Sequence, residues 1–277
     1  MQGRTDLAME AIAEQNTRLC REAGMEISDM VLTDAQAASI GKRGGHYITA
    51  LFPRLTDDER ALEEKAHAMG RRLRALLPPQ GTVLVVGLGN QNITPDALGP
   101  RASSMVLATR HIQGEFARSV GLDNLRPTVV LRTDVLGNTG IESSEIVRGV
   151  CREVSPCAVI AIDALAARSV ERLGCTVQLS DTGIAPGSGV GNDRKALDRD
   201  TLGVPVIGMG VPTVVDAQTL ACELLGVERL ENRLPTMMVT PREIDLMIVR
   251  ASRLLAMTIH AALQPAYSPL ELLSIAL

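Results

Sequence analysis

The chain has 277 residues, 45% of them hydrophobic, with two Tyr, two Phe and no Trp, so its core is aliphatic and stacking on nucleobases is excluded as a theme. A formal charge of −4 argues against DNA or RNA as a direct ligand. Five cysteines, Cys20, Cys151, Cys157, Cys175 and Cys222, include no C-x-x-C pair and are odd in number, the pattern of a reduced thiol set. Uninterrupted apolar runs fall short of the ~18 residues a bilayer needs, and acids rather than an apolar stretch follow the first residues, so a cytosolic protein with no membrane partner is expected.

Residues 5–23 carry Leu7, Met9, Ile12 and Leu19 among acids and predict a weak helix. Glu26–Leu32 and His46–Phe52 alternate as strands do, with a short helical run to Lys42 between them, giving a small β-containing portion over 24–55. Thr56-Asp57-Asp58-Glu59 reads as a capping box for a helix bearing Leu62, Ala66, Met69, Leu73 and Leu76, which Pro78-Pro79 ends. Thr82–Leu88 is a branched, apolar run suited to a buried strand, and a helix is predicted from about Ala97 to His111. A strand over Thr128–Leu131 follows, then a helix capped by Thr139 and Glu142 and carrying Ile146, Val147, Val150, Cys151 and Val154. Ala158–Ile162, Thr176–Leu179 and Val204–Met209 complete the strands, and Thr240-Pro241-Arg242-Glu243 opens the last helix. Strands alternating with helices predict an α/β fold, a mostly parallel twisted sheet with helices on both faces.

Two strand ends carry acids. Asp163 closes the Ala158–Ile162 strand and Asp96 stands in the loop after Thr82–Leu88, at the edge where open parallel sheets bind ligands. Two carboxylates there form a water-activating pair. Asp96 reads equally well as a helix cap, whereas an acid closing a buried strand is costly unless paired or functional. The run Gly183-Ile184-Ala185-Pro186-Gly187-Ser188-Gly189-Val190-Gly191-Asn192 offers a backbone that can approach a ligand closely, and Asp181 and Asp193 beside it read as turn acids. Gly87-Leu88-Gly89 fails as a dinucleotide fingerprint because its third glycine position is Asn92, and neither a phosphate loop nor a G-x-S-x-G elbow is present. His46, His67, His111 and His260 have no metal-ligand spacing, so no metal and no cofactor are expected. Arg71, Arg72 and Arg74 read as a solvated helix face.

The strings GLGN-x-x-ITPDALGP, TGIESSEIVRG, AIDALAARSVER, SDTGIAPGSGVGN and TLGVPVIGMGVPTVVDA resemble the germination protease family of spore-forming bacteria, over about residues 4–262. The resemblance implies an endopeptidase with a fold like that of hydrogenase-maturation endopeptidases, which degrades small acid-soluble spore proteins during germination in the spore core. It implies a homotetramer made as a zymogen, with Asp96 and Asp163 as the catalytic aspartates. The family cuts after an acid and before a hydrophobic residue, and Thr5-Asp6-Leu7-Ala8-Met9-Glu10 is similar to such a site. Residues 1–6 are then a propeptide removed between Asp6 and Leu7, and 7–277 a single α/β peptidase domain. Backbone N–H groups of Gly187, Ser188, Gly189, Gly191 and Asn192 are candidates for holding substrate. Two other readings stay open: a metal-dependent endopeptidase with the same acids as ligands, and a non-enzymatic factor that binds spore proteins.

Overall fold

A computed structural model describes residues 5–10, 17–56, 61–112, 114–119, 121–187, 194–227, 230 and 237–277. Its strands are β1 (Thr17–Glu22), β2 (Met25–Leu32), β3 (Gly45–Leu51), β4 (Val83–Gly87), β5 (Thr128–Arg132), β6 (Ala158–Ala167), β7 (Thr176–Ser180), β8 (Val206–Asp216) and β9 (Met238–Val239). They form one sheet in the order β1-β2-β3-β7-β8-β6-β4-β5, with β9 on β8. β5, β4, β6 and β8 run parallel and make the core of an α/β fold, as the alternation of strands and helices requires. β7, β3, β2 and β1 extend it antiparallel, so the 24–55 portion continues the main sheet and forms no layer of its own.

The helices are α1 (Asp34–Ala38), α2 (Leu62–Leu76), α3 (Leu98–Ser104), α4 (Gly114–Ser119), α5 (Leu136–Thr139), α6 (Ser143–Val154), α7 (Arg199–Leu202), α8 (Ala217–Leu225), α9 (Ile244–Leu263) and α10 (Pro269–Ala276). Side chains alternate across a strand, and β4 and β6 divide accordingly. Val83, Val85, Ile160 and Ile162 pack with α2, α3 and α9 through Leu73, Leu98 and Leu254. Leu84, Val86, Val159 and Ala161 meet Val147 of α6 and Leu202 of α7 on the opposite face. α9 is long and apolar enough to cross a bilayer, with a mean hydropathy of 1.4, but 78% of that stretch is buried inside the protein, as in a core helix.

Several boundaries differ from expectation for local reasons. The weak helix over 5–23 is replaced by a 3₁₀ turn at Ala8–Glu10 and, beyond residues outside the description, by the exposed edge strand β1. Ala23 and Gly24, both at positive φ, join β1 to β2 in a two-residue hairpin. α2 opens at Leu62, and Asp57–Glu59 of its expected capping box lie outside the described residues. α3 stops at Ser104, seven residues short of His111. α6 is capped by Glu142 reciprocally with Glu145, because Thr139 belongs to the preceding short helix α5. α9 opens at Ile244, after the expected Thr240 cap, and it is followed by α10, capped by Ser268 with proline at its first position. Arg71 and Arg72 bind Glu22 at the end of β1, and Arg74 donates to the carbonyls of Ala261 and Ala262, so this basic group ties elements together.

Candidate active site

β6 is ten residues long, so Asp163 lies within the strand and not at its end. It still sits at a boundary, because β4 pairs with β6 only as far as Ile162. On that side Asp163 faces the loop after β4, and on the other it pairs with Gly210 of β8. The side chain is 5% exposed and accepts its own neighbour's amide, Ala164 N–H, at 2.9 Å.

The loop after β4 is folded to deliver Asp96. Leu88 N–H donates to Ile162 O at 2.9 Å, then Gly89 turns at φ +111, where an added Cβ would fall 2.2 Å from Asp96 O. Only glycine fits there. Asn90 N–H donates to Asp96 Oδ2 at 2.7 Å, and Thr213 of β8 holds Pro95 O at 2.9 Å. The residue is in a 3₁₀ turn ahead of α3, so its carboxylate braces its own loop and does not cap the helix.

Burial, first, and then the negative charges of Asp96 and Asp6 push the Asp163 carboxyl well above the usual carboxylate range. Ala164 N–H and the Arg194 charge oppose this only in part. Asp96 is also raised, chiefly by burial; Asn90 N–H and Arg194 lower it and Asp134 raises it. The pair therefore resists joint ionisation, and Asp163 is the member held more firmly in its protonated form. Asp134, at φ +58, is a third acid of the group, with Val135 N–H and Asn138 Nδ2 bound to its Oδ1.

Glycines open a cavity beside Asp163. Gln178 of β7 is in register with Gly210, and Gly210 with Asp163, so the three form one row across the sheet. Gly208 precedes Gly210 on the same face. With no side chain at either, a cavity of about 250 Å³ remains between β6 and β7, lined by Asp163, Leu165, Gln178, Lys42 and Asp6. A Cβ on Gly210 would lie 2.4 Å from Asp163 O and 2.7 Å from the Leu165 side chain. Alternate glycines inside a buried strand were the sequence signal for this opening. Lys42 and Gln178 carried no such signal, because topology alone brings them here.

Residues 5–10 lie across this row as a strap. Asp6 N–H donates to Ala166 O and Asp6 Oδ2 accepts from Ala166 N–H, both at 2.8 Å. Leu7 is fully buried among Leu165, Ala167, Leu173 and Val215. The Glu10 carboxylate accepts Arg168 N–H at 2.7 Å and Ser169 N–H at 3.1 Å. The structure thus brings Asp6 to the cavity that Asp163 lines and seats Leu7 in the adjoining apolar cluster through Leu165, whereas Asp96 lies within charge range of Asp163 but is not among the cavity-lining residues. Gly187 is not among the cavity-lining residues, and Ser188, Gly189, Gly191, Asn192 and Asp193 lie outside the described residues; Thr182 to Ala185 and Ala196, on the two arms of that loop, do line it. Asp181 is a turn acid, accepting His46 N–H at 2.8 Å.

The family model described as germination protease matches residues 3–228. The chain belongs to the germination protease family. It is 39% identical to the germination protease of Caldanaerobacter subterraneus, covering 97% of this chain and 96% of that one. It is 35% identical to the germination protease of Clostridium perfringens, over 95% of each. The germination protease of Priestia megaterium is 43% identical over 80% of this chain and 66% of its own. Among solved structures, a NiFe hydrogenase maturation protease from Thermococcus kodakarensis aligns over 68% of this chain and 98% of its own, at a TM-score of 0.39 and 15% identity. As a germination protease family member the chain is a peptidase. Among its described residues, no group of three or more His, Cys, Asp or Glu is disposed to hold a metal ion, and the five cysteines are free.

Proposed function

We propose that this chain is a spore endopeptidase that starts the breakdown of small acid-soluble spore proteins at germination, cutting after an acidic residue and before a hydrophobic one. Asp96 and Asp163 activate water. Asp163, the drier and more strongly raised of the two, is the acid; Asp96, half-buried and held by Asn90 N–H, is the base. Water loses a proton to Asp96 and adds to the carbonyl carbon, whose π electrons move onto oxygen. Collapse of the tetrahedral adduct breaks the C–N bond as Asp163 protonates the leaving nitrogen. Residues 1–6 are a propeptide ahead of a peptidase domain, 7–277, and the Asp6–Leu7 bond is the site of self-processing. The protein acts in the spore core as a homotetramer.

The observation that carries this reading is the strap: an acid, Asp6, that lines the cavity with Asp163, followed by a leucine seated in the apolar cluster beside it. The test is intact-mass spectrometry of the purified chain held at mildly acidic pH, beside Asp163→Asn and Asp96→Asn. Loss of residues 1–6 from the wild type alone is the expected result. Equal processing in all three would reject the two aspartates as the catalytic pair.

A further inference from the structure

The peptide group between Asp6 and Leu7 is gripped on its oxygen by two side chains to which no role has been given. Lys42 Nζ donates to Asp6 O at 2.9 Å, and Gln178 Nε2 donates to the same oxygen at 3.0 Å. Gln178 turns its other end to the strap as well, its Oε1 accepting Ala8 N–H at 2.8 Å. One buried amide therefore reads the backbone on both sides of Leu7, while the Leu7 side chain fills its apolar pocket.

Position explains why these two serve. Gln178 and Asp163 occupy one row of the sheet, two strand spacings apart, roughly 10 Å between Cα atoms, with only the hydrogen of Gly210 between them. A peptide laid over Gly210 meets the amide from one side and the acid from the other. Lys42, past the end of α1, reaches over the same place and also donates to Thr5 O at 3.3 Å. Burial holds its pKa below the usual lysine range, and the Asp6 and Glu10 carboxylates beside it oppose that only in part.

We infer that Lys42 and Gln178 are the donor pair that binds the scissile carbonyl and stabilises the oxyanion formed on it. The inference rests on the reading of Asp6–Leu7 as the bond cut, and it moves the oxyanion site from the glycine loop to β7 and the end of α1. When water adds to the Asp6 carbonyl carbon, negative charge grows on the oxygen that already accepts both bonds. A fixed ammonium and a fixed amide N–H need no reorganisation to meet it. Loss of one such donor from an oxyanion site costs on the order of 10²–10³ in kcat.

The test uses the full chain and a peptide with the sequence of residues 1–12 as substrate. Lys42→Met and Gln178→Leu keep side-chain volume and remove the donors; Lys42→Arg restores one. Cleavage rates are measured for each, and peptide affinity is measured in the Asp163→Asn background. The expected result is a kcat about 10²-fold lower or more for Lys42→Met and Gln178→Leu, partial recovery in Lys42→Arg, and peptide affinity changed less than about tenfold. A wild type that cuts between Asp6 and Leu7 beside a Lys42→Met variant within threefold of it overturns the oxyanion role and leaves the proposed bond intact. Affinity loss with kcat unchanged likewise overturns it, reducing the pair to ground-state contacts. A wild type that cuts neither itself nor the peptide at that bond overturns both readings. Should Lys42→Met fail to fold, the Arg and Gln178→Leu variants still decide the matter through the same split between kcat and affinity.

Discussion

Replacing Leu7 by Ala should release the strap without unfolding the protein. Leu7 is fully buried, and its pocket is built by Leu165 and Ala167 of β6, by Leu173 ahead of β7 and by Val215 of β8. In a rigid core Leu→Ala costs about 2–5 kcal/mol. Here the strap can leave the surface, so the cost falls on docking and not on the global fold. Taking about 2–3 kcal/mol from that range, at 1.4 kcal/mol per factor of ten, the undocked population rises roughly 30- to 150-fold. The reporter is Ala166 N–H, which the Asp6 carboxylate holds at 2.8 Å. Hydrogen exchange read by mass spectrometry in Leu7→Ala, in an Asp163→Asn background chosen because the proposed mechanism allows no cleavage there, should accelerate by that factor at the strap-held amides of Ala166, Arg168 and Ser169. Exchange in β4 and the urea midpoint should stay unchanged. Unaltered protection at Ala166 would refute the claim that burial of Leu7 is what seats the strap.

Asp163→Asn should stabilise the fold at neutral pH. A carboxyl raised by burial lends its full stability only below the ordinary pKa of 3.8 and loses it as pH rises through its folded value, so the gain over wild type should shrink towards zero near pH 4 in thermal melts. His260 works in the opposite direction. Buried, with Nε2 accepting Leu107 N–H at 3.0 Å, it is pushed down to about 4, and it contributes about 3 kcal/mol at pH 7 that is lost as pH falls from 6.5 towards 4. Urea midpoints of His260→Gln should therefore fall less between pH 7 and 4.5 than those of the wild type, and parallel curves would refute this.

The two acids were legible because short branched runs betray buried parallel strands, and acids next to such runs gather at one sheet edge. Strand length was not legible in the same way. β6 and β8 run on to Ala167 and Asp216 because each pairs with the other beyond the end of β4, a tertiary fact with no local pattern. The loop carrying Asp96 was read as a helix start, yet what fixes it is Gly89 and the contact of Thr213 with Pro95, more than a hundred residues apart in sequence. Lys42 and Gln178 were missed for the same reason. A lysine after a short helix and a glutamine in a strand carry no motif, and their partner atom is a backbone carbonyl thirty-six residues or more away. The hydrophobic pattern of residues 5–23 misled because Leu7 serves a pocket on another element and not a helix face of its own.

The strap also bears on how the acid pair titrates. Asp6 is one of two carboxylates whose charge raises Asp163, and it is the one that processing would remove. Asp96 and the strands around Asp163 remain after it leaves, so Asp163 should stay raised but less so. An Asp6→Asn substitution removes that charge while keeping the strap in place. In an Asp96→Asn background, where the proposed mechanism allows no cleavage and the other carboxylate is gone, the Asp163 titration followed by carbon-13 NMR should shift to lower pH when Asp6 becomes Asn. Its midpoint should remain above the ordinary 3.8, because burial is the first cause of the shift and neither substitution relieves it. Coincident midpoints with and without the Asp6 charge would mean that solvent screens the two groups, and that the strap does not lie close enough to Asp163 to present its peptide bond there.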